Sequence, residues 1–228
     1  MKKLLVAALA VAAMGAVSSA NASIITQTQS VALTKTDWDT FLTFNKFNTN
    51  LGNLLSVKVD LSGQAQGSAS AENRDGLTHN VKLKSVVTVT LTRPDETELV
   101  VIDPLFSRTL TLGAYDGTVD FAGTSGGTTG WLYSPVLSDS YTTTAPADFA
   151  LFSTTGAGTI NLHATADATT SSSGAGNLST EFNTFALADA TLTYTYETPE
   201  NNVPEPASLA LLAGGLGLLG VARRRRNK

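Results

Sequence analysis

Apolar and polar residues alternate with a period of two along most of this chain. Val57, Val59, Leu61, Gly63, Ala65, Gly67, Ala69 and Ala71 are interleaved with Lys58, Asp60, Ser62, Gln64, Gln66, Ser68 and Ser70. Successive side chains of a strand point to opposite faces, so this stretch predicts one long strand with a packed face and a wet face. Val81, Leu83, Val87, Val89 and Leu91 repeat the pattern against Lys82, Lys84, Thr88, Thr90 and Thr92. Ile160, Leu162, Ala164, Ala166 and Ala168 do so against Asn161, His163, Thr165, Asp167 and Thr169, and Ala190–Tyr196 predicts a fourth strand. Small residues at the far ends of two of these strands predict a thin sheet edge or bulky side chains lying over them.

Turn chemistry separates the strands. Asp75-Gly76 and Asp116-Gly117 supply residues that tolerate positive φ. Arg93-Pro94-Asp95-Glu96 places proline where a type I turn wants φ of about −65°, with Thr97–Ile102 as the returning strand. Gly123–Gly130 and Ser171–Gly176 read as flexible loops. Ala145–Phe152 predicts a brief helical turn carrying Phe149 and Phe152 into the core. Trp38, Phe41, Phe44 and Phe47 sit at spacing three, which suits a helical turn or, in this Thr-rich context, a strand. No fixed-period repeat occurs, which argues against solenoids and propellers. Roughly eight to eleven strands separated by turns predict an all-β fold, an antiparallel β-sandwich of jelly-roll-like form, with a barrel as the second choice.

Both ends read as processing segments. Met1-Lys2-Lys3 is a positive start, Leu4–Val17 is apolar, and Ala20-Asn21-Ala22 fits a small-x-small site. These features predict a signal peptide over 1–22, cleaved between Ala22 and Ser23 after delivery to the Sec export machinery. At the other end Val203, Pro204, Glu205 and Pro206 precede an uncharged run, Ala207–Ala222, and then Arg223, Arg224, Arg225 and Arg226. A helix over that run would measure about 24 Å against roughly 30 Å of hydrocarbon, short for a permanent span. The arginines are expected to stay cytoplasmic, leaving everything before Val203 outside. Pro204 and Pro206 stop the preceding strand pattern from running into the helix. The exported domain is therefore 23–202 and the terminal segment 203–228.

The terminal residues, Pro204-Glu205-Pro206, the apolar run and Arg223–Arg226, resemble the PEP-CTERM sorting signal of Gram-negative bacteria. The resemblance implies recognition by an exosortase at the inner membrane, removal of the helix near the triplet, and a final place at the cell surface or in the extracellular matrix. Further in, Thr90-Leu91-Thr92-Arg93-Pro94-Asp95 is followed by Ala114-Tyr115-Asp116-Gly117-Thr118-Val119-Asp120-Phe121-Ala122-Gly123-Thr124-Ser125-Gly126. Pro146–Phe152 and Gly174-Ala175-Gly176-Asn177-Leu178 come next, and the order of these pieces resembles the domain called choice-of-anchor E. That resemblance implies surface display and no activity.

Charge and cysteine content narrow the partners. All 19 acidic residues lie between Asp37 and Glu205, whereas Lys2, Lys3, Arg223–Arg226 and Lys228 sit in the two ends. The exported part is thus far more acidic than the whole-chain charge of −4. Such a surface repels nucleic acid and anionic headgroups and leaves cations, neutral glycans or basic proteins. The absence of cysteine excludes thiol catalysis and Cys-ligated zinc.

Candidate chemistry is sparse. His163 shares its strand face with Asp167, but about 13 Å away at roughly 3.3 Å per residue, so an orienting acid would have to come from elsewhere. His79 precedes a strand in a polar stretch. Asp116 and Asp120, like Asp37 and Asp39, gather near turns where oxygen ligands for calcium collect, and the first pair is the calcium candidate. Trp131 and Tyr133, at i and i+2 with Tyr141 nearby, form a candidate glycan platform, although a core anchor just after the Gly-rich loop is the preferred reading of Trp131. No catalytic set and no cofactor are assigned. The chain reads as a non-enzymatic surface or matrix protein, with exosortase as partner and exopolysaccharide as a candidate partner. The alternatives are a glycan-active enzyme using paired carboxylates or a calcium-dependent carbohydrate-binding module.

Overall fold

The period-two stretches become strands in a computed structural model that describes residues 22–199. The expected signal peptide up to residue 21, including Ala20, and the expected sorting segment 203–228 lie outside the described residues. In chain order the strands are β1 (Ala22–Lys35), β2 (Trp38–Asn45), β3 (Phe47–Asn48), β4 (Asn53–Asn73), β5 (His79–Thr92), β6 (Glu98–Ile102) and β7 (Leu105–Leu112). They continue as β8 (Gly126–Thr128), β9 (Leu132–Tyr133), β10 (Leu137–Thr143), β11 (Ser153–Thr154), β12 (Thr159–Ser173) and β13 (Leu178–Glu197). One short helix, α1 (Pro146–Phe152), precedes β11 and buries Phe152, as its sequence predicts.

The first sheet has the order β1-β13-β4, with β8, β9 and β10 lined up along the free side of β4. The second has the order β2-β12-β5, with β6 and β7 along the far side of β5. All these pairs are antiparallel, and among the described residues only the two-residue pair of β11 with β3 is parallel. Val57, Val59, Leu61, Ala188, Ala190 and Leu192 of the first sheet share one buried cluster with Val87, Val89, Leu91, Leu162, Ala164 and Ala166 of the second. Burial of apolar surface between the two sheets is the main force holding them together.

The small residues of β4 are explained by what lies over them. A Cβ on Gly63 would stand 3.0 Å from Ile102 Cδ1, and one on Gly67 3.1 Å from Phe106 Cζ. Large side chains of β6 and β7 thus fill the room left by glycine, and no thin edge results. Where β1 and β2 come together, the Gln27 amide imitates a strand: Nε2 donates to Asn45 O and Oε1 accepts from Asn45 N, both at 2.9 Å. The Tyr194 hydroxyl donates to the same carbonyl at 3.0 Å.

Several local expectations are decided or revised. Trp38–Asn45 is strand, with Trp38 and Phe44 facing the core and Phe41 facing solvent. Ser171–Ser173 remain in β12, paired with Lys84, Leu83 and Lys82, and Gly126–Thr128 form β8, so neither glycine- and serine-rich stretch is wholly loop. Of the two Asp-Gly turns only Gly117 takes positive φ, at 105°. β13 begins at Leu178, well before Ala190, because Phe182, Phe185 and Leu187 sit among Ser, Thr and Asn and blur the alternation. The strand tally exceeds expectation because the strand beside β4 is broken into three pieces.

Candidate functional site

Those breaks position the surface aromatics. Ser70 pairs with Thr128 and Gly67 with Leu132, so four steps along the outer segment match three along β4. The extra residue is a bulge at Thr129-Gly130, where Gly130 takes φ 65°. A second follows: Gln66 pairs with Tyr133 and Gly63 with Leu137. Each bulge is stitched by a buried hydroxyl. Thr129 Oγ1 accepts from Ala69 N at 2.9 Å and donates to Gly130 O at 2.7 Å. Ser134 Oγ accepts from Ala65 N at 2.9 Å and donates to Pro135 O at 2.7 Å. One inserted residue reverses which face each following side chain occupies. Leu132 therefore packs toward the core, while Trp131 and Tyr133 face outward.

Trp131 is 43 % exposed and Tyr133 is 63 % exposed, so Trp131 is a surface ring and not a core anchor. Its ring leans on Phe185 of β13, with centroids 5.4 Å apart. Phe185 lies opposite Gln66, and Gln66 lies opposite Tyr133, which sets the three in a row across the first sheet's outer face. Between the rings runs an amide chain: Gln66 Nε2 donates to Gln64 Oε1, and Gln64 Nε2 donates to Ser134 O, both at 2.8 Å. Each amide carries two donors and two acceptor lone pairs, so both keep capacity for a ligand. Flat rings beside fixed amides suit a sugar, whose C–H face stacks on the ring while its hydroxyls bond to the amides. Phe185, Gln64 and Gln66 were not singled out from sequence; three distant segments must meet before they are neighbours.

Tyr141 does not join this platform. It pairs with Val59 on the core side, and its hydroxyl donates to Asp148 Oδ2 at 3.1 Å. Asp148 also accepts from Thr143 Oγ1 at 2.7 Å and from Arg93 Nη1 at 3.0 Å. The Thr143 hydroxyl first, then that of Tyr141, with Arg93 adding to both, holds the Asp148 carboxyl below the usual carboxylate range.

The acid missing beside His163 comes from the neighbouring strand: His163 Nε2 lies 2.7 Å from Asp39 Oδ1, and Phe41 stacks on the ring with centroids 4.9 Å apart. The pair is a base with an orienter; among the described residues no serine or threonine hydroxyl hydrogen-bonds to the imidazole. Asp37 is separated from Asp39 in role, its Oδ1 accepting from Ala168 N at 2.7 Å. His79 meets Asp75 at 3.3 Å. Asp116 and Asp120 both lie in the 113–125 loop. Asp116 Oδ1 accepts from the Thr118 amide at 3.2 Å and its hydroxyl at 3.1 Å, and the amide is the main cause of a lowered Asp116 pKa. Asp120 Oδ1 accepts from Ala122 N at 3.0 Å. Of the expected cleavage residues, Ala22 and Ser23 open β1, paired with Glu197 and Tyr196. Val203–Pro206 and Arg223–Arg226 lie outside the described residues.

An all-β, antiparallel domain followed by an address segment is the class these features define. Residues 202–226 match the PEP-CTERM protein-sorting motif. The chain thus carries a signal for export and membrane-associated sorting in Gram-negative bacteria, which implies processing by an exosortase. No curated protein matches the chain. Among solved structures, T=1 particles derived from infectious bursal virus align at 15 % identity over 78 % of this chain and 36 % of theirs, with a TM-score of 0.20. The Gt strain of infectious bursal disease virus aligns at 11 % identity over 91 % and 51 %, with a TM-score of 0.18. This chain spans 36 % to 51 % of the length of those two viral chains. TM-scores of that size do not define a shared fold.

Proposed function

We propose that this is a non-enzymatic surface or matrix protein that holds neutral exopolysaccharide on the outer face of its first sheet after exosortase processing. The exported domain is read as a jelly-roll-like β-sandwich of the choice-of-anchor E type, supported by the core shared between two sheets and by the order of the motifs along the chain. The observation that carries the binding reading is the pairing of two outward rings, Trp131 and Tyr133, with the Gln66–Gln64 amide chain. Ring and amides are already held by Phe185 and Ser134, so little ordering remains to be done on binding. The acidic balance of the domain favours neutral over anionic polymers, although Lys35 stands opposite Phe185 at the β1 edge.

Affinity electrophoresis tests this. The protein is run through gels containing a soluble neutral β-glucan or a uronic acid polymer. The expected result is retardation in the neutral gel that disappears in a Trp131→Ala/Tyr133→Ala double variant. Equal mobility of the two proteins in the neutral gel overturns the proposal.

A further inference from the structure

Glu72 is buried and, among the described residues, forms no ion pair. It ends the outward row of β4 (Ser68, Ser70, Glu72) but is fully excluded from solvent beneath the 113–125 loop. Oε2 accepts from Phe121 N at 2.8 Å. Oε1 is buried and has no hydrogen-bond partner among the described residues, and no Lys, Arg or His there forms an ion pair with this carboxylate. Buried carboxylates are tolerated when they are paired or when they coordinate a metal.

The loop over Glu72 adds a second carboxylate at the same turn. Glu72 and Asp120 accept from consecutive amides, Phe121 and Ala122. Phe121 itself sits at φ 58°, unusual for a residue with a side chain, and the peptide after it packs against Gly126, where a Cβ would fall 2.2 Å from Ala122 N. The strand partner of Glu72 is that same Gly126, so the loop is clamped to the strand that carries the acid. Asp116 is committed to Thr118. Among the described residues no three Asp, Glu, His or Cys side chains group around one point. An ion here would therefore draw its remaining ligands from loop carbonyls. Zinc sites are built from side chains, whereas calcium accepts backbone carbonyls together with few carboxylates.

We propose that Glu72 and Asp120 bind a calcium ion beneath the 113–125 loop, with backbone carbonyls of the loop completing the oxygen shell. Glu72 is the interior ligand and Asp120 the one nearer solvent. The ion neutralises the buried acid and pins the loop onto the outer face of the first sheet.

The test uses the full-length protein in detergent, stripped with chelator and heated with increasing CaCl2 or MgCl2. The expected result is a saturable rise in melting temperature with CaCl2 up to the millimolar range of extracellular modules, and little or none with MgCl2. Glu72→Gln keeps an acceptor for the Phe121 amide, so it is expected to fold, to melt higher than the stripped wild type and to lose the calcium response. Asp120→Asn weakens the response, and Asp139→Asn, on a distant strand, leaves it unchanged. No calcium shift in the wild type overturns the proposal, as does a shift that survives in Glu72→Gln or is matched by magnesium.

Discussion

Ser85 of β5 and Thr184 of β13 meet hydroxyl to hydroxyl at 3.0 Å, both buried, and link the two sheets through the layer between them. On one side lies the main cluster, which ends at Ala65 along β4, and on the other a smaller one of Ala69, Ala71, Val81, Leu83 and Leu112. This polar bond sits where the apolar core is interrupted. Removing one partner leaves the other buried and unsatisfied, which costs about 1–3 kcal/mol, whereas replacing both avoids that penalty. Ser85→Ala is expected to lower stability in that range, and Ser85→Ala/Thr184→Val to recover most of it. Urea denaturation of the three proteins at equal m-value checks this.

Gly67 and Gly76 separate a packing role from a turn role. A Cβ on Gly67 would lie 2.1 Å from the Asn183 carbonyl oxygen, which is backbone of the central strand pair, whereas one on Gly76 meets nothing within 4 Å. Gly67→Ala is expected to cost about 3 kcal/mol or more, the upper end of overpacking, or to prevent folding. Gly76→Ala is expected to stay within about 0.5 kcal/mol. Thermal melts of the two variants side by side distinguish them.

Asp148 sets an acid limit. Its carboxyl is held below the reference value of 3.8, chiefly by the Thr143 hydroxyl and then by Tyr141. A carboxylate whose folded pKa is depressed contributes stability above its unfolded pKa and loses it as pH falls through the folded value. The wild type is therefore expected to lose stability progressively below about pH 4, and Asp148→Asn to show a shallower fall over that window. Denaturation midpoints measured from neutral pH down to about pH 2 report the difference in slope.

Gly130 is the extra residue of the first bulge. Deleting it with Thr128 still opposite Ser70 and Leu132 still opposite Gly67 sets Trp131 opposite Ser68, on the outer face. The expected outcome is a tryptophan emission close to that of the parent, read in a Trp38→Phe background, with retardation in the neutral glucan gel retained. Trp131→Ala alone is expected to weaken glucan binding about tenfold or more while the melting temperature changes little.

On the proposed reading, sorting depends on the terminal triplet. Deleting Pro204–Pro206 is expected to leave the protein at the inner membrane, seen as a shift from the released to the membrane fraction on cell fractionation. Unchanged release would remove the role of the triplet.

Much of the fold was legible because a strand with one face buried writes itself as alternation. β4, β5 and β12 were readable on that ground, as was α1 from its proline start and its two phenylalanines. β13 was only half readable, because its outward face carries Phe185 and Leu187, which look like core residues until the sheet places them outside. The platform was half visible too. Trp131 and Tyr133 share a face by spacing alone, but which face depends on their register with β4 and on a hydroxyl, Thr129, that bonds to a residue 60 positions away.

By itself the amino-acid order determined the all-β class, most of the turn positions, the acidic character and the C-terminal sorting motif, because each rests on local spacing or composition. The three-dimensional structure decided what stands beside what: Asp39 against His163, Phe185 beneath Trp131, Phe121 over Glu72. Those pairings join residues far apart in the chain. They follow from strand register and bulges, which are set by long-range packing and hydrogen bonding that no short stretch of sequence contains.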